Sequence, residues 1–259
     1  MIDMHFNPVG GVAEGDTLTT LSGTDVAAAC AREAPALDAA GISRAVVVVL
    51  SDGALDALAD IPPGDRFPVA LAVDFRRPDA AARLERAHAR GVAALKFHPY
   101  LQRLVPHDYD KAAALAREAD RLGMFVMVCC SYGTRALERH DGVRLAARLA
   151  DQVSCPIVMS HAGGRQVLDA MLVAADAPQV LLETSFSLPY YVGSSIETDF
   201  AFAMRKLGAA RWMFGSDAPF VPLGEAIACT RQFFDRHRFT SAETDQIFDV
   251  TAATLLQDR

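Results

Sequence analysis

The chain has no CxxC cysteine pair, no glycine-rich phosphate loop, no block of basic residues and no long apolar run. Each absence removes a class of protein. Cys30, Cys129, Cys130, Cys155 and Cys229 are odd in number and lack metal-ribbon spacing, so neither a disulfide framework nor a zinc ribbon is indicated and reduced thiols are expected. The net charge of -7 comes from acids and bases interspersed along the chain, which argues against nucleic acid and anionic membrane as partners. No stretch approaches the ~20 apolar residues of a membrane-spanning helix. The opening Met-Ile-Asp-Met-His lacks the basic and apolar regions of a secretory signal. A soluble, cytoplasmic protein is expected. No Pro/Ser-rich linker or low-complexity tract divides the chain, so residues 1–259 are expected to form a single domain.

Short apolar runs alternate with Ala-rich amphipathic segments from end to end, the pattern of repeated βα units around a parallel sheet. Eight runs read as strands: Ile2 to Asn7, Arg44 to Ser51, Phe67 to Phe75, Val92 to Pro99, Phe125 to Cys130, Pro156 to His161, Val180 to Ser185, and Arg211 to Asp217. The helical stretches are Thr24 to Ala40, Asp79 to Arg90, Asp110 to Leu122, Ala136 to Gln152, Arg165 to Ala175, Glu197 to Leu207 and Gly224 to Arg236, with a last helix from Ser241 to Leu256. Gly41, Gly91, Gly123 and Gly208 follow four of them where a left-handed C-cap belongs. A single (β/α)8 TIM-type barrel fits this order, and barrels of roughly 250 residues are usual. A doubly wound open sheet is the alternative, weakened by the missing phosphate loop. Two segments at expected strand ends, Pro8 to Gly23 and Phe186 to Ser195, are candidate active-site lids.

Barrel enzymes work at the C-terminal ends of their strands, and residues two apart on a strand share a face. By that rule strand one offers Asp3, His5 and Asn7, strand four Lys96 and His98, strand five Cys129 and Cys130, strand six His161, strand seven Glu183 and Ser185, and strand eight Asp217. A lone polar strand end is usually a cap or a satisfied core group. Their occurrence together points to function. Histidine, aspartate and thiolate suit a divalent metal, zinc first, with a carboxylate or imidazole nearby to take a proton from water. Without a metal, Asp217 could activate water directly while Lys96 stabilised an oxyanion.

The same residues resemble a known family. Ile2-Asp3-Met4-His5-Phe6-Asn7 is similar to the Ile-Asp-x-His-x-His opening of amidohydrolase-related proteins, and Leu95-Lys96-Phe97-His98-Pro99 resembles their Lys-x-His-Pro strand. Ser160-His161-Ala162-Gly163-Gly164 resembles their His-x-Gly-Gly, Phe214-Gly215-Ser216-Asp217-Ala218-Pro219 their Phe-Gly-Ser-Asp-x-Pro, and Thr251-Ala252-Ala253-Thr254-Leu255-Leu256 their Asn-Ala-x-x-Leu-Leu tail. The resemblance implies a barrel enzyme in which His5 is a metal ligand, His161 a ligand or acid/base group, and Asp217 both ligand and proton acceptor. By the same analogy a homodimer is implied.

Two positions depart from the family pattern: Asn7 stands in place of the second histidine, and Cys129 stands where strand five normally ends in a histidine. An amide oxygen is a poor transition-metal ligand and a thiolate a good one, so the substitutions pull in opposite directions. Two readings stay open: a metal held by His5, Cys129, Asp217 and His161, or a metal-free site with Asp217 and His161 as the acid/base pair. Cys129 also has a plain reading as a small buried hydrophobe.

Lys96, His98, Asn7, Arg165 and Tyr132 are the candidate substrate contacts, with Arg135, Tyr190 and Tyr191 in nearby loops. An arginine at the mouth would pair with a carboxylate of the substrate. His88, His107, His140 and His237 fall in helices or polar loops and receive no role. The expected activity is hydrolysis of a C–N or C–O bond in a small carboxylated molecule. Non-oxidative decarboxylation or metal-independent lactone hydrolysis is the second reading, and a non-catalytic ligand- or partner-binding barrel the third.

Overall fold

The computed structural model describes residues 1–7, 23–50, 66–130, 135 and 139–257. Tyr132 and residues 8–22 of the expected lid Pro8 to Gly23 lie outside them, and Gly23 opens the first helix. Eight parallel strands pair in chain order to form the barrel: β1 (Ile2–Phe6), β2 (Arg44–Val49), β3 (Val69–Ala72), β4 (Val92–Phe97), β5 (Phe125–Cys129), β6 (Ile157–Ser160), β7 (Val180–Glu183) and β8 (Trp212–Met213). The connections run through α1 (Gly23–Ala39) before β2, α2 (Ala80–His88) before β4, α3 (Tyr109–Arg121) before β5 and α4 (Gly142–Ala150) before β6. Next come α5 (Val167–Asp176), the short α6 (Ser187–Tyr191), α7 (Ser195–Leu207) and α8 (Leu223–Arg236). The chain ends in α9 (Ser241–Asp245) and α10 (Thr251–Gln257). Among the described residues no helix is long and apolar enough to cross a membrane.

Alternation along the strands divides the apolar side chains into two layers. Val47, Leu71, Leu95, Val126, Met159, Leu182 and Phe214 point outward and meet the helices. Ile2, Met4, Val46, Ala70, Ala94, Phe125, Met127, Val158 and Met213 fill the lower interior, where Ala252 and Leu255 of α10 join them. The last helix therefore stoppers the barrel floor. One pleat higher on the same inward faces stand Lys96 above Ala94, Cys129 above Met127, Ser160 above Val158 and Gly215 above Met213. Among the described residues the apolar pattern thus places the inward polar groups in the upper barrel.

Strand eight departs from its expected span of Arg211 to Asp217. Its ladder with β7 covers only Leu182 to Trp212 and Glu183 to Met213, because the Phe214 amide leaves the sheet and donates to the Ile247 carbonyl at 2.9 Å. Ile247 lies in a π-helical turn, Gln246–Val250, which interrupts the single helix expected from Ser241 to Leu256. A π turn disturbs the regular i to i+4 pairing, and here it accompanies a carbonyl turned to β8.

The remaining gap, between β1 and the chain after β8, is closed by individual bonds. Met4 N donates to Phe214 O at 2.9 Å, Asp217 N to His5 O at 2.8 Å and Asn7 N to Ala218 O at 2.8 Å. On its other side, in the ladder with β2, β1 shifts register between Asp3 and Phe6. That shift corrects the grouping of Asp3 with His5 and Asn7 by strict alternation. The buried Asp3 carboxylate accepts from His5 N at 3.0 Å, Ser216 N at 2.8 Å and Ser216 Oγ, holding both sides of the seam together. Burial pushes it up to about 7 despite those donors.

Asp3→Ala strands three donors in the interior. A buried donor left unsatisfied costs about 1–3 kcal/mol, so the urea midpoint should fall clearly with an unchanged m-value. An unaltered midpoint would show that the seam does not depend on this carboxylate.

Candidate active site

The upper interior collects one or two side chains from each of several strands. Glu183, fully buried on β7, is the hub. Its Oε2 lies 3.1 Å from His5 Nδ1, accepts from Ser185 Oγ at 2.9 Å and receives His161 N at 3.4 Å; Oε1 accepts the Ser185 amide. Ser185 Oγ is also 2.9 Å from His161 Nδ1 and 3.2 Å from His5 Nδ1, and the Ser185 carbonyl meets His161 Nδ1 at 3.1 Å. The two imidazole rings stand 4.7 Å apart. One donor atom from each of His5, His161 and Glu183 lies within 4.8 Å of the others.

Asp217 faces this cluster from the β1–β8 seam. Its Oδ1 is 3.6 Å from His5 Nε2 and accepts Asn7 Nδ2 at 2.7 Å. Burial, and then the Glu183 carboxylate, push its pKa up to about 8. The replacement of a histidine by Asn7 therefore supplies a hydrogen-bond donor for the aspartate. On the opposite wall Lys96 Nζ donates to Ser160 Oγ at 2.7 Å. Burial lowers its pKa, while the nearby Cys129, Glu183 and Asp217 work to keep it charged.

Both histidines at the centre are held as neutral bases. Burial is the main cause in each case, assisted at His5 by the charge of Lys96 and at His161 by His5. Neutral imidazole is the form that ligates a metal. Two imidazoles and a carboxylate, all buried and convergent, therefore fit a divalent ion by donor chemistry.

His98 is half-buried at the end of β4. Its Nδ1 receives the Leu101 amide at 3.3 Å, and burial, followed by Lys96, lowers its pKa to about 3. It is a neutral group with Nε2 left as donor.

Backbone geometry holds these groups at the mouth. His161, Phe186 and Asp217 adopt positive φ values of 64°, 58° and 59° at the ends of three strands. Non-glycine residues in the left-handed region cost of order 1–3 kcal/mol and persist where the surroundings enforce them. After His161 the turn continues through Ala162, Gly163 and Gly164, all at positive φ, before α5 begins.

From His161 a line of rings leads outward: Phe186 edge-on at 6.3 Å, Tyr190 stacked on Phe186 at 5.0 Å and Tyr191 edge-on to Tyr190 at 4.9 Å. The expected lid after strand seven is thus, in its first part, the helical turn α6 with an aromatic face.

The structure brings together His5, Asn7, His161 and Asp217 as the sequence indicated, but the convergent donor group does not include Cys129 or Asp217. Cys129 faces inward beside Lys96, with Ser160 across the ladder. Arg165 and Arg135 are exposed, Arg165 lying near Tyr191.

Glu183 carries more of the site than its place in Val180-Leu181-Leu182-Glu183 indicates. A readable signal is the glycine at 215. A Cβ there would overlap Glu183 Oε1 and crowd Ser185 Cβ, so the carboxylate occupies space that only glycine leaves free. Gly215→Ala should displace Glu183 and cost about 1–3 kcal/mol through overpacking, read as a lower Tm together with reduced divalent-ion uptake in a titration. Wild-type Tm and ion uptake would refute the close fit.

Comparison with known proteins supports this assignment of fold and family. The amidohydrolase family profile matches residues 2–257. No protein of curated function matches the chain by sequence.

Among solved structures, an uncharacterized TIM-barrel protein from Bordetella bronchiseptica aligns with TM-score 0.74 and 18% identity over 99% of this chain and 98% of that one. A probable 2-pyrone-4,6-dicarboxylic acid hydrolase from Acinetobacter baumannii, with citric acid bound, gives 0.67 and 15% over 99% and 98%. A dihydroxybenzoic acid decarboxylase from Polaromonas, with manganese and 2-nitroresorcinol, gives 0.65 and 15% over 87% and 85%. At these identities the likeness concerns the barrel alone, while the profile spans nearly the whole sequence, and by it the chain belongs to the amidohydrolase family.

Proposed function

We propose that the chain hydrolyses a C–N or C–O bond of a small carboxylated molecule at the mouth formed by His5, His161, Glu183 and Asp217. The observation that carries this reading is Asp217 set 3.6 Å from His5, beside the convergent His5, His161 and Glu183. A divalent metal held by those three would supply Lewis-acid polarisation of a substrate oxygen. The N-rich donor set with one carboxylate suits zinc, and manganese is the alternative.

The chain's own groups divide the remaining work. Asn7 anchors Oδ1 of Asp217, and the carboxylate would accept a proton from water. A general base of this kind works best with a pKa near the working pH, which the burial of Asp217 provides. Lys96 places positive charge in a low-dielectric wall where a carboxylate or oxyanion would lie. Neutral His98 can donate a hydrogen bond to the same group, and Phe186 with Tyr190 offers a flat apolar side to the pocket.

Decarboxylation is the second reading, favoured by the raised pKa of Asp217. In its protonated form Asp217 would deliver its proton to the carbon bearing the carboxylate. The C–C bond would then break, its electron pair returning to the substrate as CO2 leaves.

Protein purified without chelator should contain about one divalent ion per chain by elemental analysis. Glu183→Gln and His5→Ala should lose it while remaining folded. Asp217→Asn should keep the ion and lower turnover by about 10²–10⁴ on a panel of pyrone dicarboxylates, lactones and dihydroxybenzoates assayed for ring opening and for CO2. An active Asp217→Asn enzyme would remove the proposal. CO2 without a hydrolysis product would select the second reading.

A further inference from the structure

His98 follows the last residue of β4, two positions beyond the inward Lys96 and so on the same face. Pro99, with no amide hydrogen to give a ladder, comes next, and the chain turns. Gln102, only 6% exposed, holds this turn. Its Oε1 accepts the His98 amide at 2.8 Å, and its Nε2 donates to the carbonyl of Val73, just past β3, at 3.0 Å. The Gln102 amide returns to the His98 carbonyl at 2.9 Å, and Leu104 N donates to Pro99 O at 2.8 Å. Arg76 braces the far side of the turn. Its Nη1 donates to the Gln102 carbonyl at 2.8 Å and its Nη2 to Asp108 Oδ2 at 2.7 Å.

A buried amide that ties two strand ends together is ordinary as a staple. The histidine held by it is less so, because one ring nitrogen is used and the other is not. The Leu101 amide donates to His98 Nδ1 at 3.3 Å. A backbone N–H can only donate, so Nδ1 must accept, and the single proton of the neutral ring sits on Nε2. Among the described residues that Nε2–H meets no acceptor. His98 is also the open member of the set: His5, Lys96, His161, Glu183 and Asp217 are buried, while His98 is partly exposed. It stands close enough to His5 that protonating one would oppose protonating the other.

We propose that Gln102 is a positioning residue of this site, setting His98 as a donor of fixed tautomer for a carbonyl or carboxylate oxygen of the substrate. The inference rests on the reading of the mouth as a site for a small carboxylated molecule. His98 would touch that molecule, and Gln102 acts through His98. Exchange of the ring proton to Nδ1 would set two N–H groups against each other at Leu101, so the ring cannot serve as an acceptor at Nε2 while the turn is intact. Such a donor discriminates. An oxygen acceptor satisfies it, whereas an amino or methyl group at the same point leaves the N–H unpaired.

Heteronuclear NMR of the imidazole nitrogens in the full chain reads the tautomer, with the His98 signals assigned by their loss in His98→Ala. The wild type should show the Nε2–H form alone, and Gln102→Ala both neutral forms in exchange. Titration with benzoate, a carboxylate probe, should move the wild-type Nε2–H signal. None of these measurements needs turnover, so they stand apart from the proposed reaction. On any substrate that is consumed, His98→Ala and Gln102→Ala should each lower kcat/KM by about 10-fold, the worth of one hydrogen bond, and the double variant by little more than either, because both remove the same bond. A wild type with the Nδ1–H form or a mixture would overturn the proposal even if Gln102→Ala does not fold. So would an unchanged tautomer in folded Gln102→Ala, a signal indifferent to benzoate, or fully additive losses. If no substrate is consumed, the reaction assigned above fails, and the tautomer and the benzoate response decide this inference.

Discussion

The joint between β1 and the chain after β8 is the constraint on which the rest of this molecule rests. Eight strands must curl into a cylinder, yet the eighth pairs with the seventh over only two residues and turns away to meet the C-terminal helix. Closure falls to a few backbone bonds and to one buried carboxylate, Asp3, which accepts from both sides. His5 and Asn7 leave one side of that joint and Asp217 the other. The same bonds that complete the barrel therefore fix the spacing of the groups that face each other across its mouth. A carboxylate that looks like part of the chemistry is, in this fold, what keeps the chemistry in register.

Above the joint, burial does most of the electrostatic work. Four carboxylates or imidazoles are enclosed with a single lysine, so each prefers its neutral form more than it would in water. The histidines lose affinity for protons and the acids gain it. Lys96, though itself disfavoured by burial, is surrounded by groups that stabilise its charge. Such a set is poorly matched to its own surroundings and well matched to an incoming cation or polar substrate. A packed apolar interior would have no comparable demand. The left-handed backbone at His161, Phe186 and Asp217 belongs to the same picture, because each is held in an uncommon conformation at the end of a strand.

Much of this could be read from the residues in order. Periodicity located the strands to within a few positions, since a barrel strand buried on both faces leaves a continuous apolar run, and the polar residues closing those runs marked the mouth. His5, His161 and Asp217 were visible in that way. What stayed hidden depends on partners distant in the chain. Glu183 ends a run of aliphatics and resembles any strand-end acid until Gly215, two residues past the next strand, is seen to leave the space it fills. Asp3 follows the alternation of its strand on paper, but the register shift after it changes what it touches. The π turn at Gln246–Val250 accompanies the bond from the distant Phe214 amide to Ile247 O, a partner that the helix's own residues do not announce.

The floor of the barrel, filled by Met4, Met127 and Met213 and sealed by Ala252 and Leu255, has a consequence for traffic. Among the described residues, a vessel stoppered at its floor opens at its mouth. Substrate, water and every product must pass the same ring of residues, and whatever enters last stands in the way of what entered first. The aromatic file from Phe186 to Tyr191 borders that doorway. The order in which molecules come and go is thus imposed by packing at the far end of the barrel, by residues that never meet any of them.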